Sequence, residues 1–174
     1  KSVPGEGTRP ALAQVRAAVF NIAQMYVYGS SFLDLFAGTG AYAIEALSRG
    51  AESAVLVDVD SKAAAVIRYN LRLCGFEGRA SVLNADALKV IDRLKNQGAV
   101  FDIIMVAPPY FNGLGPRAME KIGQSSLLAP DGLCFVQHHV KEEVGDRFSR
   151  LALAKRYTYG SNILSLFRYG AVEG

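Results

Sequence analysis

The segment Phe32-Leu-Asp-Leu-Phe-Ala-Gly-Thr-Gly-Ala-Tyr-Ala-Ile-Glu45 decides the fold of this chain. Its apolar start predicts a strand, Gly38 and Gly40 predict a tight turn, and the residues after them predict a helix. Glycine brings main-chain N–H groups close to a ligand, and a helix N-terminus adds unpaired donors and partial positive charge. The junction therefore predicts a site for a nucleotide-like or carboxylate-bearing ligand, with plain loop glycines as the alternative.

The composition indicates one domain, because 174 residues that are 51% hydrophobic can bury a sizeable core. We expect a single domain over residues 1–174, with an exposed arm at 1–8, an N-terminal helix at 9–28 and a core at 31–174. No apolar run is long enough to span a bilayer, and the N-terminus does not have the pattern of a signal peptide. We therefore expect a cytoplasmic, monomeric protein that makes no membrane contact.

Cysteine, histidine and net charge narrow the function classes. Cys74 and Cys134 lack CxxC spacing, so buried thiols in a reducing compartment are expected rather than a disulfide or a metal site. His138 and His139 are adjacent and have no third ligand at a suitable spacing, so we predict rim or packing residues and no metal. The net charge of +3 permits an anionic partner without requiring one.

Predicted strands and helices alternate after residue 30. The predicted strands are 31–36, 53–58, 79–83, 101–106 and 132–138, with a hairpin formed by 151–159 and 162–169, and the predicted helices between them are 40–49, 61–74, 86–96 and 116–128. Apolar strands separated by helices indicate a doubly wound, Rossmann-like α/β fold, with a mostly parallel seven-stranded sheet and an antiparallel C-terminal hairpin. Such sheets bind ligands at the carboxyl ends of their strands, and we expect the first and fourth strands to end side by side.

Two cofactors fit the glycine turn. Gly38-Thr-Gly-Ala-Tyr-Ala43 matches the dinucleotide fingerprint, and Asp58 is spaced as an acid on a ribose would be, which allows a nicotinamide dinucleotide. Asp34 disfavours a pyrophosphate there but suits the ammonium group of S-adenosylmethionine. Asp58 would then accept from the ribose hydroxyls and Asp86 from the adenine amine, with helix capping as the alternative for Asp86. The predicted cofactor contacts are Asp34, Phe36, Ala37, Gly38, Gly40, Asp58, Val59, Ala85 and Asp86.

The segment Ala107-Pro-Pro-Tyr110 directly follows the fourth predicted strand. Proline has no N–H to donate, so its carbonyls face outward as acceptors, and Tyr110 offers a flat ring beside them. This pair of features suits a planar substrate whose exocyclic amine is held by acceptors while its ring stacks. We predict that Ala107, Pro108, Pro109 and Tyr110 form the catalytic segment. The alternative is a Pro-Pro turn that merely ends a strand.

Several motifs resemble those of the RsmD-type guanine-N2 methyltransferases of small-subunit ribosomal RNA. The matching segments are Gly7-Thr-Arg-Pro10, Val15-Arg-Ala-Ala-Val-Phe-Asn21, Leu33-Asp-Leu-Phe-Ala-Gly-Thr-Gly-Ala41, Ile44-Glu-Ala-Leu-Ser-Arg-Gly-Ala51, Phe101-Asp-Ile-Ile104 and Pro108-Pro-Tyr110. The resemblance implies a methyltransferase fold and S-adenosylmethionine as donor. It also implies that the acceptor is a guanine of small-subunit rRNA, met in an assembled or assembling ribosomal subunit.

Three positions depart from the pattern of that family. Where the family has Asp or Asn, this chain has Ala107, and losing one polar partner in an active site costs about 2.7–4 kcal/mol. We therefore expect a weakened enzyme, with a catalytically silent RNA- or ribosome-binding protein as the alternative. Ala43 replaces a common Gly, which changes helix packing, and Ala11 replaces a common Thr, which removes a cap or an RNA contact.

Four basic residues are predicted to follow an RNA backbone, namely Arg9, Arg16, Arg117 and Lys121. Contacts to phosphates give affinity without sequence choice, and a solvated charged face is the alternative for Arg9 and Arg16. The target base must be unstacked before it can react, and unstacking is easiest in a loop.

Overall fold

The computed structural model describes the backbone of residues 9–170 and the side chains of residues 12–170. Its helices are α1 Arg9–Ala23, α2 Ala41–Ser48, α3 Ser61–Cys74, α4 Ala87–Asn96 and α5 Leu114–Gly123, with a 3-10 turn at Glu77–Arg79. Its strands are β1 Ser31–Asp34, β2 Ser53–Asp58, β3 Ala80–Asn84, β4 Phe101–Val106, β5 Leu128–His139, β6 Arg147–Phe148, β7 Leu151–Tyr159 and β8 Asn162–Tyr169. The predicted arm at 1–8 lies outside the described residues.

One sheet holds all the described strands, in the order β3-β2-β1-β4-β5-β8-β7-β6. The strands β1 to β5 pair in parallel, whereas β8, β7 and β6 add antiparallel pairs at the end. This confirms the predicted fold class, and it confirms that the first and fourth strands are neighbours. The predicted number of seven strands was wrong within the described range, because β6 has only two residues and shows no period of its own.

Apolar side chains on both faces of the sheet explain why helices cover it on both sides. Along β4, Ile103 and Met105 pack into one buried cluster, whereas Ile104 and Val106 pack into the other. Successive strand residues point to opposite faces, so an uninterrupted apolar run fills two cores at once. The first cluster contains residues of α1, α2 and α3, and the second contains residues of α4 and α5.

Capping residues in the sequence mark the ends of α2 and α3. Helix α2 ends at Ser48, and two main-chain bonds close the turn that follows: the N–H of Gly50 donates to Leu47 O at 3.1 Å and the N–H of Ala51 donates to Ala46 O at 3.0 Å. This pair of bonds is the Schellman arrangement, and Gly50 has the positive φ of 96° that it requires. Helix α3 spans Ser61–Cys74, as predicted, with Asp60 and Gly75 as its caps.

Two predicted boundaries were wrong. Helix α1 ends at Ala23, not at residue 28, and α5 spans Leu114–Gly123, not residues 116–128. Pro116 is the third residue of α5, where its missing N–H costs little because the first-turn donors have no partner within the helix.

Residues 129–131, which separate a predicted helix from a predicted strand, lie inside β5. Between paired residues, β5 advances from Leu128 to Leu133 while β4 advances only from Phe101 to Ile103, so these residues form a bulge in a longer strand.

No helix within the described part of the chain is long and apolar enough to cross a membrane.

The two cysteines differ from each other. Cys134 is buried, as expected, and burial raises the pKa of its thiol. Cys74, at the last residue of α3, is exposed, so the prediction that it is buried was wrong. It continues the helical spacing of the buried Ile67 and Leu71, but it is the last residue of α3 and does not share their burial.

Candidate active site

The glycine turn after β1 has the backbone that its sequence predicts. Phe36 and Ala37 lead into it, and Gly38 and Gly40 both have positive φ, 58° and 83°. A Cβ on Gly40 would lie 3.2 Å from Leu56 Cδ2, whereas one on Gly38 would have no atom of the described chain within 4 Å. Gly40 is therefore required by packing as well as by its backbone, and Gly38 faces open space above the turn.

Asp58, at the end of β2, binds the turn directly. Its Oδ2 accepts from the N–H of Gly38 at 2.9 Å, and its Oδ1 accepts from the N–H of Asp60 at 2.9 Å. Asp60 is the residue that caps α3, because its carboxylate accepts from the N–H of Lys62 at 2.9 Å. Asp58 thus joins the rims of β1 and β2 and is not the helix cap.

Asp34, the last residue of β1, is a fully buried carboxylate. Neither oxygen has a hydrogen-bond partner among the described residues. Burial raises the pKa of Asp34 to about 7; the nearby N–H of Ala43, outside hydrogen-bond geometry, offsets part of this rise, and the charge of Asp58 adds to it. An unpartnered buried acid beside a donor-rich turn fits a ligand that carries both an ammonium and a carboxylate group.

The carboxyl ends of β2 and β3 complete one side of the site. The N–H groups of Ala37 and Ala85 donate to the carbonyls of Val57 and Asp58 at 2.9 and 3.1 Å, which ties three strand ends together. Val59 is 72% exposed, which is unusual for a valine next to a buried strand. It leaves an apolar surface at this rim.

Asp86 is exposed and caps α4, where its Oδ1 accepts from the N–H of Lys89 at 3.1 Å. Asp86 therefore acts as a helix cap, which is one of its two predicted roles; the other is contact with an adenine amine. Asn84 was missed by the sequence analysis; its side-chain amide donates to the carbonyls of Asp58 and Val59, both at 3.0 Å. It fixes the rim on which Asp58 sits.

The segment after β4 lies at the same edge of the sheet. Pro108 is buried, Pro109 is exposed, and Ala107 and Tyr110 are partly buried. Ala107 packs against the first core cluster and offers no side-chain acceptor. The sheet order brings this segment next to the glycine turn, because β4 is paired with β1.

A chain of hydrogen bonds links the two segments. The hydroxyl of Tyr42, the second residue of α2, donates to Gln137 Oε1 at 2.7 Å, and Gln137 Nε2 donates to the hydroxyl of Tyr110 at 3.2 Å. The Tyr110 hydroxyl in turn donates to Asn162 Oδ1. Gln137 and Asn162 are 6% and 3% exposed, whereas Tyr42 and Tyr110 are partly buried, so the amide members of the chain are the ones shielded from water. We refer to these four residues as the tyrosine relay.

The sequence analysis missed Gln137 and Asn162 as site residues. Their signal was a polar residue within a buried β-strand, which needs a hydrogen-bond partner. Tyr42 also has a raised pKa, caused first by burial and then by Asp34, with Arg16 opposing the rise. Arg16 is thereby near enough to the relay to act on it electrostatically.

The four predicted RNA contacts have different surroundings. Arg9 lies in α1, but its side chain is outside the described residues. Arg16 is partly buried, and Arg117 is exposed in the first half of α5. Lys121 donates to Asp92 at 2.9 Å, so its charge is already paired on the surface.

His138 packs in the sheet, as expected. Its Nδ1 donates to the carbonyl of His139 at 3.3 Å and its Nε2 accepts from the hydroxyl of Ser165 at 2.9 Å. Burial lowers the pKa of His138, which favours this neutral, doubly bonded form. His139 instead lies at the rim, with its ring centroid 5.6 Å from that of Tyr110.

A doubly wound sheet with a glycine turn after β1, an acid after β2 and a Pro-Pro-Tyr segment after β4 defines an S-adenosylmethionine-dependent methyltransferase. A family model described as "Conserved hypothetical protein 95" matches residues 1–168. YlbH of Bacillus subtilis, described provisionally as an rRNA methyltransferase, is 31% identical over 168 residues, which cover 97% of this chain and 91% of that protein. The chain belongs to the RsmD-type family of rRNA methyltransferases, which confirms the resemblance seen in the sequence.

Further comparisons agree. Ribosomal RNA small subunit methyltransferase D of Haemophilus influenzae is 32% identical over 134 residues, covering 76% of this chain and 68% of that protein. The solved structure of Escherichia coli yhhF, described provisionally as a methyltransferase, has a TM-score of 0.84 and 26% identity, and covers 98% of this chain and 91% of that one. These matches leave the nicotinamide alternative without support.

Proposed function

We propose that this protein transfers a methyl group from S-adenosylmethionine to the N2 amine of a guanine in small-subunit ribosomal RNA. The observation that carries the proposal is the tyrosine relay, which joins the start of α2, just after the glycine turn, to the Pro-Pro-Tyr segment. A donor above the turn and a base on Tyr110 would then be neighbours. Proximity of this kind is a major source of rate enhancement, because the reacting atoms need little further ordering.

The proposed donor site uses the turn between β1 and α2. The carboxylate of the donor would accept from main-chain N–H groups near Gly38 and Gly40, and its ammonium group would pair with Asp34. Asp58 retains lone pairs beyond the two N–H groups it already accepts from, so it would also accept from the ribose hydroxyls. The remaining proposed contacts are Phe36, Ala37, Val59, Ala85 and Asp86.

The proposed acceptor site uses the segment after β4. Tyr110 would stack on the guanine, and main-chain carbonyls at Pro108 and Pro109 would accept from its amine. When bound, the donor would supply a methyl group on a positively charged sulfur, which would pass to the amine nitrogen as the carbon–sulfur bond breaks with its electron pair left on sulfur. The Pro108 and Pro109 carbonyls would orient the amine, and its proton would leave to water.

Ala107 favours a second candidate function. A family member without the side-chain acceptor is slowed by about a hundredfold or more by analogy with the removal of one active-site partner. A protein that binds RNA and the donor without turnover would keep the donor site. It would no longer be under selection for a side-chain acceptor at residue 107. We therefore propose the silent RNA- or ribosome-binding protein as the alternative.

The test is transfer of a labelled methyl group to small ribosomal subunits that lack the modification, followed by nucleoside analysis. We expect slow formation of N2-methylguanosine and binding of S-adenosylhomocysteine by calorimetry. Label on another nucleoside would overturn the guanine assignment. Donor binding with no label on any RNA would favour the silent protein.

Substitutions at Ala107 separate the two candidates. Ala107→Asp restores a carboxylate acceptor and should raise the transfer rate by about a hundredfold or more. Ala107→Asn tests whether a neutral acceptor suffices, and Ala107→Val, which adds bulk without an acceptor, is the matched control. If neither Ala107→Asp nor Ala107→Asn raises the transfer rate while donor affinity is unchanged, the result would count against an enzymatic function.

The basic residues provide the proposed RNA contacts. Arg16 and Arg117 would follow the phosphate backbone at the rim, with Arg9 and Lys121 beside them. Loss of one phosphate contact should weaken RNA binding similarly for all sequences and reduce its salt dependence. Because Lys121 is paired with Asp92, Lys121→Ala should have a smaller effect than Arg117→Ala.

A further inference from the structure

Phe111, which follows Tyr110, has two unusual properties together. Its φ of 61° lies in the left-handed region, which a residue with a bulky side chain rarely adopts. Its side chain is also 64% exposed, so no core packing repays that backbone conformation. Strained residues persist when their surroundings fix them, and they concentrate at ligand sites.

Glu142 fixes the backbone of Phe111. Its Oε2 accepts from the N–H of Phe111 at 3.1 Å, and its Oε1 accepts from the N–H of His139 at 2.8 Å. One carboxylate therefore ties the loop after β4 to the end of β5. The ring of His139 supports that of Phe111 from the side, with centroids 4.9 Å apart.

The orientation of the Phe111 ring separates its role from that of Tyr110. The two ring centroids are 6.4 Å apart and the planes are 81° apart. A flat base that stacks on Tyr110 cannot also lie flat on Phe111. Phe111 therefore presents a second aromatic surface at the same rim, turned almost at a right angle to the first.

We propose that Phe111 is a stacking platform for the nucleotide next to the target base. This inference rests on the proposed function, because it takes single-stranded RNA as the ligand. Every nucleobase has a face that can stack on an aromatic ring, so such a contact is tolerant of sequence. It would hold the strand open on one side while Tyr110 takes the target, and so select unpaired RNA.

The experiment measures binding of a short single-stranded oligoribonucleotide with a central guanine, in the presence of S-adenosylhomocysteine. Phe111→Ala removes the ring, and Phe111→Gly removes it while also relieving the left-handed backbone. Both should weaken affinity by about 5- to 150-fold, the range for one lost base–aromatic stack. Phe111→Trp should keep the affinity, as should Tyr28→Ala, which removes an 86% exposed ring at the opposite end of the sheet.

A second oligoribonucleotide locates the contact. With an abasic residue in place of the base that flanks the guanine on either side in turn, one position should abolish the difference between the parent protein and Phe111→Ala. Equal affinity of the parent and both ring-deleted variants would overturn this inference alone. A loss in Phe111→Gly without a loss in Phe111→Ala would also overturn it, because the backbone and not the ring would then matter. Failure of the parent protein to bind RNA would overturn the proposed function as well.

Discussion

The loop after β1 and the loop after β4 stand side by side, yet they are built differently. The first is held by main-chain bonds and by the carboxylate of Asp58, and its glycines occupy backbone positions that other residues rarely adopt. The second presents aromatic rings at the surface, contains the strained Phe111, and has no side-chain acceptor at Ala107. The loop proposed to hold the donor therefore offers main-chain and carboxylate partners, whereas the loop proposed to hold the acceptor has no side-chain acceptor at residue 107. From this contrast we expect that substitutions can change cofactor binding and turnover separately.

The largest expected effect is that of Asp34→Asn, which removes the buried acid at the end of β1 and should change how stability depends on pH. The folded protein holds a proton on Asp34 up to about pH 7, whereas the unfolded chain releases it near its ordinary value of 3.8. Unfolding thus releases a proton between these values, and the parent should lose up to about 4 kcal/mol of stability as the pH rises across them. Asp34→Asn should remove that loss, as measured by urea unfolding across the same range.

The same residue links pH to ligand affinity. An ammonium group favours the ionised form of Asp34, so S-adenosylhomocysteine should bind more tightly above the pKa of Asp34 than below it. Calorimetry in buffers of different ionisation enthalpy should show that binding releases a proton. Asp34→Asn should bind weakly and without this release. A parent affinity that does not change with pH would count against pairing of the ammonium with Asp34.

Gly38→Ala and Gly40→Ala are a matched pair on the donor side. Both place a side chain on a left-handed residue, which costs about 1–2 kcal/mol. Gly40→Ala also meets Leu56, so it should lower the thermal midpoint more than Gly38→Ala does. Gly38→Ala has room in the protein, so its main effect should be lost affinity for S-adenosylhomocysteine. An unchanged affinity would show that the ligand does not approach Gly38.

Tyr42→Phe tests the relay between the two loops. It removes the donor to the buried Gln137, which should cost about 0.5–1.5 kcal/mol of stability and misplace Tyr110. We expect the transfer rate to fall while donor affinity stays within a few fold of the parent value. Tyr169→Phe is the control, because its hydroxyl also makes a 2.7 Å bond, to the carbonyl of Leu128 away from the site. Equal effects on transfer in both variants would leave the relay with a structural role alone.

The smallest expected effect decides between the two roles of Asp86. Asp86→Ala should cost about 1 kcal/mol of stability through loss of the cap on α4. Asp86→Ser keeps a capping oxygen but shortens the side chain, so it should retain stability and lose reach to an adenine amine. Lower donor affinity in Asp86→Ser would support the adenine contact. Equal affinity would leave Asp86 as a cap.

Local chemistry made most of the fold predictable. The strand 53–58 and the helix 61–74 each depend on neighbouring residues, and both lie where the sequence predicted them. One failure is long-range. The strand β5 begins at Leu128, before its predicted start at residue 132, because pairing with β4 includes the preceding residues in a bulge. The other failure is local: α5 begins at Leu114, and Pro116, its third residue, is tolerated because it lies in the first turn of the helix.

The site divides in the same way. The glycine turn and the Pro-Pro-Tyr segment are continuous in sequence, so they could be recognised there. The partners of Tyr110 could not, because Gln137 and Asn162 are separated from it by 27 and 52 positions. The contact from Glu142 to Phe111 likewise depends on how β5 ends beside β4. Only the sheet order brings these residues together.

The bond from Gly38 to Asp58 has a consequence for how the first ligand arrives. The loop is already hydrogen-bonded to the neighbouring strand end, so the site for a small molecule should be preorganised. Backbone atoms there should shift by less than about 1 Å between empty and filled forms, as in other rigid recognition events. Little ordering entropy would then be spent, so fragments of the natural ligand should bind with good efficiency for their size.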